Sequence, residues 1–384
     1  MLEKIKFSLI LSFASLVSFL GGSIYISALP ELSQVFEVSS SSVNYTLTFY
    51  FFGVVVGAIL SGPLSEIYGR KVILIIFLLL YSLASLLCGF SDSITVFDWG
   101  RFLEGVGSAG APVISIALIA DRYEGREYHK VVSYILIMGG LGAGGAPIFG
   151  SVVLHFFDWR IIFYILTGLG VVATILVFFV KVNERLEFPK AKETILEIRF
   201  FAKHSSFRYY LLMIGVLHGA LYSFVIISPY IFRLHYGWSV LDFVWVGVAL
   251  TLGEAIGSTL DRALIERVEG RIILLTGFFI ILTTLLMIAV FELPPEGIWL
   301  LAMIIPFTVG ANLTSSFLTL LSIKLDPRFT GLGSSLINLS KMSFASFALV
   351  IIPFLPETLE VVDFFILGAF LICLLGYFRV RQQI

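Results

Sequence analysis

The sequence predicts an all-α membrane protein: twelve transmembrane helices in two six-helix bundles, both termini in the cytoplasm. Three observations lead there. Of 384 residues, 58% are hydrophobic and 13% charged, and the mean hydropathy is +1.01. A soluble domain is about 45–50% apolar and about 25% charged, so too few charges are present to solvate a surface. Next, twelve apolar runs each approach the roughly 20 residues that cross about 30 Å of hydrocarbon. Finally, one long charged stretch, 181–208, separates the sixth run from the seventh. The chain therefore divides into an N-terminal bundle (1–180), a cytoplasmic linker (181–208) and a C-terminal bundle (209–384).

The first run, 7–29, follows Lys4 and Lys6. Eleven further runs mark it as an uncleaved anchor rather than a signal peptide. The rest of the first half spans 43–63, 72–90, 99–120, 131–154 and 160–180. The second half spans 209–230, 241–260, 271–291, 297–320, 331–353 and 360–378. Cys88 and Cys373 fall far apart in apolar runs and read as small buried hydrophobes, neither a disulfide nor a metal site. The net charge of −1 says little; the distribution says more. With the termini, the linker and the even-to-odd turns on one face, that face collects 21 of the 25 lysines and arginines. Only Arg160 and Arg233 lie in the opposite turns, while Arg101 and Lys341 lie within spans. The positive-inside rule then places both termini in the cytoplasm.

The two halves echo each other faintly. GPLSE at 62–66 matches GSTLD at 257–261 near the end of the second helix of each half. Gly105 to Asp121 has the spacing of Gly310 to Asp326 at the end of the fourth. Homologous bundles facing one another would line a central site from both sides.

Arg101 and Glu104, spaced i, i+3, share a helix face and can pair. A charge in the bilayer costs roughly 2.5–3.5 kcal/mol on insertion scales, so such residues face a protein interior or a water cavity. Helical rise sets Glu104 about 26 Å from Asp121, in the outer half of the membrane. The pair reads either as a proton carrier with its partner or as a structural strut. Lys341 lies about 15 Å into helix 11 and His218 about 15 Å into helix 7, both near the midplane. Lys341 suits an anionic substrate group or an acid from another helix. His218 titrates in the range useful for proton transfer, though a histidine bonded between helices fits the sequence equally. Glu254 lies about 10 Å from Asp261 and reads as support for the second cytoplasmic turn. Asn312 and Asn338 either line a cavity or bond neighbouring helices.

The turn GPLSEIYGRK (62–71) is the strongest local signal. Gly62 and Gly69 permit close approach and a tight turn, and Glu66 and Arg70 place opposite charges one helical turn apart. It resembles the loop between helices 2 and 3 of the major facilitator superfamily, with Glu66 in place of the usual aspartate. The resemblance implies the fold of that family and a cytoplasmic charge latch of Glu66, Arg70 and Asp121. It also makes Arg101 and Gly105 the match to the helix 4 arginine motif tied to proton coupling.

GGLGAGGAPIFG (139–150) contains a formal G-x-G-x-x-G. A dinucleotide site would need a preceding strand, so the glycines read as close helix packing in lipid. Gly142, Gly145, Pro147 and Gly150 partly resemble the helix 5 motif of the superfamily's antiporters.

SIYISALPELSQVF, with GPLSEIYGRK and FDWRIIFYIL (157–166), is similar to the Bcr/CflA branch of twelve-span drug:proton antiporters. That branch carries an acid in helix 1 where this chain has Ser23, followed by Tyr25. The vacancy shifts the expected coupling role to Glu104, with Arg101 and His218. Ser23, Tyr25, Asn312, Asn338 and Lys341 are the expected cavity residues.

The function implied is proton-coupled efflux of a small organic molecule, drug or metabolite, by alternating access across the cell inner membrane. The expected partners are that molecule, the lipid bilayer and protons, with no nucleic acid, on a monomer. No HExxH, Walker loop or CxxC is present, and no nucleophile–base pair is spaced for catalysis. Neither enzyme activity nor a cofactor or metal is expected, and the proton gradient is the expected energy source. An importer or facilitator of an anionic metabolite or siderophore is the alternative on this fold; a non-transporting receptor or scaffold is a more distant one.

Overall fold

A computed structural model describes residues 2–123, 125–180, 203–264, 267–291, 296–324, 330–356 and 358–381. The described chain is helical throughout. Helix α1 (Leu2–Ser23) stops in mid-span, a 3-10 turn follows at Ile26–Ala28, and α2 (Leu29–Val35) completes the crossing. The others are α3 (Ser40–Tyr68), α4 (Arg70–Gly89), α5 (Ile94–Ala120), α6 (Gly125–Phe156) and α7 (Trp159–Phe178). After the linker come α8 (Ser205–Pro229), α9 (Val244–Leu264), α10 (Gly270–Phe291), α11 (Gly297–Lys324), α12 (Thr330–Ile351) and α13 (Leu359–Val380). With α1 and α2 as one crossing, about twelve span-length segments result. Nine are long and apolar enough to cross a membrane on the described residues alone.

The helices begin where the sequence supplies caps. The Ser39, Ser93 and Asp158 side chains accept from backbone N–H groups of the first turns of α3, α5 and α7. Pro30 opens α2, where its missing N–H costs nothing. Between α3 and α4 the connection is a single residue, Gly69, at φ 96°. That backbone angle strains any residue with a Cβ.

Helix faces separate lipid from protein. On α4, Val72, Ile76, Leu79, Leu83 and Leu87 recur every three to four residues and are exposed, while Tyr81, Ser82 and Ser85 on the other side are buried. In a bilayer that stripe meets acyl chains.

The chain forms two compact units. One holds α1–α7 together with 240–247; the other holds α8, the remainder of α9 and α10–α13. Within the first, α5 packs against α1, α3 and α4. A methyl group on Gly53 would overlap the Phe102 carbonyl, and one on Gly105 the Tyr50 carbonyl, so α3 and α5 touch backbone to backbone. Within the second, α8 packs against α11, α12 and α13.

Candidate functional site

The break in helix 1 leaves carbonyls at the end of α1 without intrahelical donors. One of them, Gly21 O, accepts a hydrogen bond from Arg101 Nη2 of α5 at 3.0 Å. Arg101 Nη1 pairs with Glu104 Oε2 on the next turn of α5, and Glu104 Oε1 accepts from the Ser85 hydroxyl of α4 at 2.9 Å. Rings enclose the pair. The guanidinium carbon lies 4.3 Å from the ring centroids of both Tyr25 and Tyr50 and 5.8 Å from that of Phe163. Each tyrosine is anchored in turn: Tyr25 exchanges a 2.6 Å hydrogen bond with Thr46, and Tyr50 donates to Ser18 O at 3.2 Å. Arg101 and Glu104 are both 0% exposed.

The arrangement follows from sequence. Gly105 lets α5 meet α3 at Tyr50, which brings the Tyr50 ring over the arginine one turn earlier. Irregular backbone at membrane depth survives only where protein surrounds it, and Ile24 to Leu29 are all buried. Arg101 thus acts as a cap from another helix, placing positive charge at a helix C-terminus. The i, i+3 pairing was readable from spacing. The Gly21 carbonyl and the two tyrosines were not, because 80 residues of chain separate donor from acceptor. The expected first span over 7–29 falls within one span-length apolar stretch, Lys6–Val35, and the break lies inside it, with Pro30 as its local signal.

Ser23 is buried at the break. On α6, side chains on Gly142 and Gly150 would overlap α1 and its broken end: Gly142 faces Phe19 and Leu16, and Gly150 faces the Ile24 carbonyl. Gly145 has open space beside it. Pro147 lies inside α6, where it accepts the Ser151 hydroxyl at 2.8 Å through its carbonyl.

At the expected cytoplasmic turn, Arg70 Nε sits 2.6 Å from Asp121 Oδ2, joining the start of α4 to the end of α5. Glu66 enters no ion pair among the described residues. Gly62 has no atom within 4 Å of the place a Cβ would take.

In the second unit, His218 donates through Nδ1 to Ile214 O of its own helix at 3.1 Å. Asn312 Oδ1 accepts from Ser258 of α9 at 3.1 Å and Ser316 at 3.3 Å, tying α9 to α11. Lys341 and Glu254 are half-buried. Asn338 lies in α12, and its side chain is outside the described set.

A sequence profile of the Major Facilitator Superfamily matches residues 11–349. The chain belongs to that superfamily. It is 27% identical over 326 residues to the uncharacterised MFS-type transporter YdgK of Bacillus subtilis (strain 168), covering 82% of this chain and 81% of the relative. It is 27% identical over 345 residues to the bicyclomycin resistance protein homolog of Haemophilus influenzae, covering 86% and 85%. Over 173 residues it is 27% identical to the multidrug resistance protein MdtL of Salmonella agona, covering 45% and 44%. Among solved structures it superposes on the xylose transporter XylE of E. coli in a partially occluded inward-open conformation. There the TM-score is 0.73 at 14% identity, with 98% and 97% of the chains covered. A bacterial homologue of the lysosomal transporter Spinster gives TM-score 0.72 at 14% identity, covering 98% and 96%. These likenesses show the superfamily fold. The protein is a multi-pass membrane transporter of this superfamily, not an enzyme, and its relatives match the Bcr/CflA-like resemblance of the helix 1 and loop motifs.

Proposed function

We propose that this transporter exports a small organic molecule in exchange for protons by alternating access, from a cell inner membrane with both of its termini in the cytoplasm. The observation that carries the reading is the Arg101–Glu104 pair: an acid and its counter-ion, wholly buried, at the point where helix 1 breaks. The relatives named for bicyclomycin resistance and multidrug resistance support export. Arg70 and Asp121 form the latch on the cytoplasmic face, and their exposure keeps the pair weak enough to part each cycle. No cofactor takes part, and the monomer is the working unit.

In the cycle, Glu104 holds a proton in one state and pairs with Arg101 in the other. The paired state is the one described, with the tyrosines closed over the guanidinium. Proton entry requires Tyr25 or Tyr50 to swing aside. A protonated Glu104 no longer balances Arg101, so its attraction to the Gly21 carbonyl and the α1 terminus is redistributed.

The test is transport by purified protein in proteoliposomes under an imposed pH gradient, using resistance compounds of the kinds its relatives' names indicate. Solute should move opposite to protons, and Glu104→Gln should abolish gradient-driven movement while leaving exchange at equal pH. Wild-type gradient-driven rates in Glu104→Gln would make the pair a strut and remove Glu104 as the carrier.

A further inference from the structure

The second unit holds a set of ionisable groups that the mechanism above does not use. Glu254 stands ten residues from each end of α9, His218 lies well inside α8, and Lys341 falls near the middle of α12. At 1.5 Å per residue each is roughly 15 Å or more from its helix ends, so all three sit at a common depth near the membrane midplane. Glu254 therefore belongs with the midplane groups rather than with the cytoplasmic turn at Asp261.

Their directions are fixed by helix geometry. On α9 the exposed apolar residues Trp245, Leu252 and Ile256 lie within about 40° of one another at 100° per residue, and Glu254 lies about 180° from their mean. On α12 the exposed Phe347 and Val350 mark the lipid side, and Lys341 lies about 150° from it. Both charges thus point away from lipid. Helices α8 and α12 are in close contact here, since a Cβ on Gly215 would meet Phe344 and Ser340, and Ser340 donates to Leu211 O at 2.7 Å. Gly219 meets the Phe344 carbonyl in the same register, so His218 lies level with Phe344, about one helical turn from Lys341.

The two opposite charges do not close on each other. Their fields overlap across the helices, yet no Lys341–Glu254 distance is within 4.0 Å, and neither side chain has a hydrogen bond among the described residues. Both are half-buried, so solvent or a ligand reaches them. Tyr222, one turn along α8 from His218, is within the field of Glu254. Charged groups at this depth face a cavity and mark a solute path, and transporter sites lie near the midplane.

We propose that Glu254 and Lys341 form a two-pole binding site for an amphoteric solute, whose ammonium group is held by Glu254 and whose carboxylate is held by Lys341. A solute with one charge satisfies one pole and leaves the other unpaired, and an unpaired group at such a site weakens binding. This deepens the export reading by naming the class of molecule carried.

Matched ligand triples test it: phenylalanine, phenylethylamine and phenylpropionate, with the tryptophan and leucine equivalents, measured by thermal shift and calorimetry on the full-length protein without a pH gradient. In at least one triple the amphoteric member should bind tenfold or more tightly than both single-charge members. Glu254→Gln should remove its advantage over the acid, and Lys341→Gln its advantage over the amine, with each variant still monodisperse and helical. The proposal is overturned if no amphoteric member outbinds its single-charge relatives, or if both variants keep the wild-type preferences. Because no gradient is applied, failure of proton coupling leaves this result intact, and the reverse also holds.

Discussion

Arg101 shows how much one side chain does when lipid offers it nothing. It pairs with Glu104, bonds the Gly21 carbonyl, and lies between two tyrosine faces. A cation over an aromatic ring gains about 2 kcal/mol or more when desolvated. Lysine has neither the planar face nor the forked donors for this geometry. Arg101→Lys should therefore lower thermal stability and abolish transport together, as read by fluorescence-detected unfolding and a vesicle assay. Ser85→Ala removes the 2.9 Å hydrogen bond to a buried carboxylate; hydrogen bonds to charged groups contribute about 1.5–3 kcal/mol, and unfolding should shift by that order. A smaller effect on unfolding than on proton-driven rate would mark Ser85 as tuning Glu104 rather than merely packing. The sequence announced the charged pair by its spacing. It was silent on Ser85, which is one of many serines and became a partner only when α4 met α5.

At the scale of elements, two glycines set distances that the chemistry needs. Gly105 holds α5 against α3, and Gly150 holds α6 against the broken end of α1. Gly150→Val would push its side chain into the Ile24 carbonyl, so the variant should express poorly or lose transport, whereas Gly145→Ala, at an open position, should behave as wild type. A comparison of the two in one expression and transport assay checks the assignment. Packing by the glycine-rich run was legible, because G-x-G-x-x-G without a strand is not a dinucleotide site, and Gly142 and Gly150 do pack closely. Which glycine meets which helix was not, since that depends on the partner's backbone. The same holds for the break in α1. Its apolar run passes every span criterion, and only tertiary contacts make interruption tolerable.

For the whole molecule, the charge asymmetry of the sequence gives a topology that can be checked directly. Both native cysteines are buried, so a single introduced thiol should dominate labelling by an impermeant reagent. In intact cells, Ser93→Cys should label and Gln382→Cys should not. The reverse pattern would invert the protein. The Arg70–Asp121 contact is partly exposed, at 25% and 46% for the two side chains, and exposed ion pairs contribute about 0.2–1 kcal/mol. Asp121→Asn should thus leave the unfolding temperature nearly unchanged while altering how often the face that carries this contact opens, read as a change in solute accessibility from that face. Fold class and span number were legible because lipid imposes length and composition on every crossing. The midplane depth of Lys341 and His218 was legible from their places in the apolar runs. That of Glu254 was not, because the apolar run ends at 260 while the helix continues to Leu264.

The donor that caps α1 is carried by α5, and ribosomes make α1 first. When residues 1–35 enter the membrane, the Gly21 carbonyl has no arginine to meet, and the continuous run 7–29 is the best structure then available to it. The break after Ser23 should therefore form on arrival of residue 101 rather than at insertion. A nascent chain halted before α5 should hold a straight first helix, detectable as a longer spacing between probes at its two ends, and release of the next segment should shorten it.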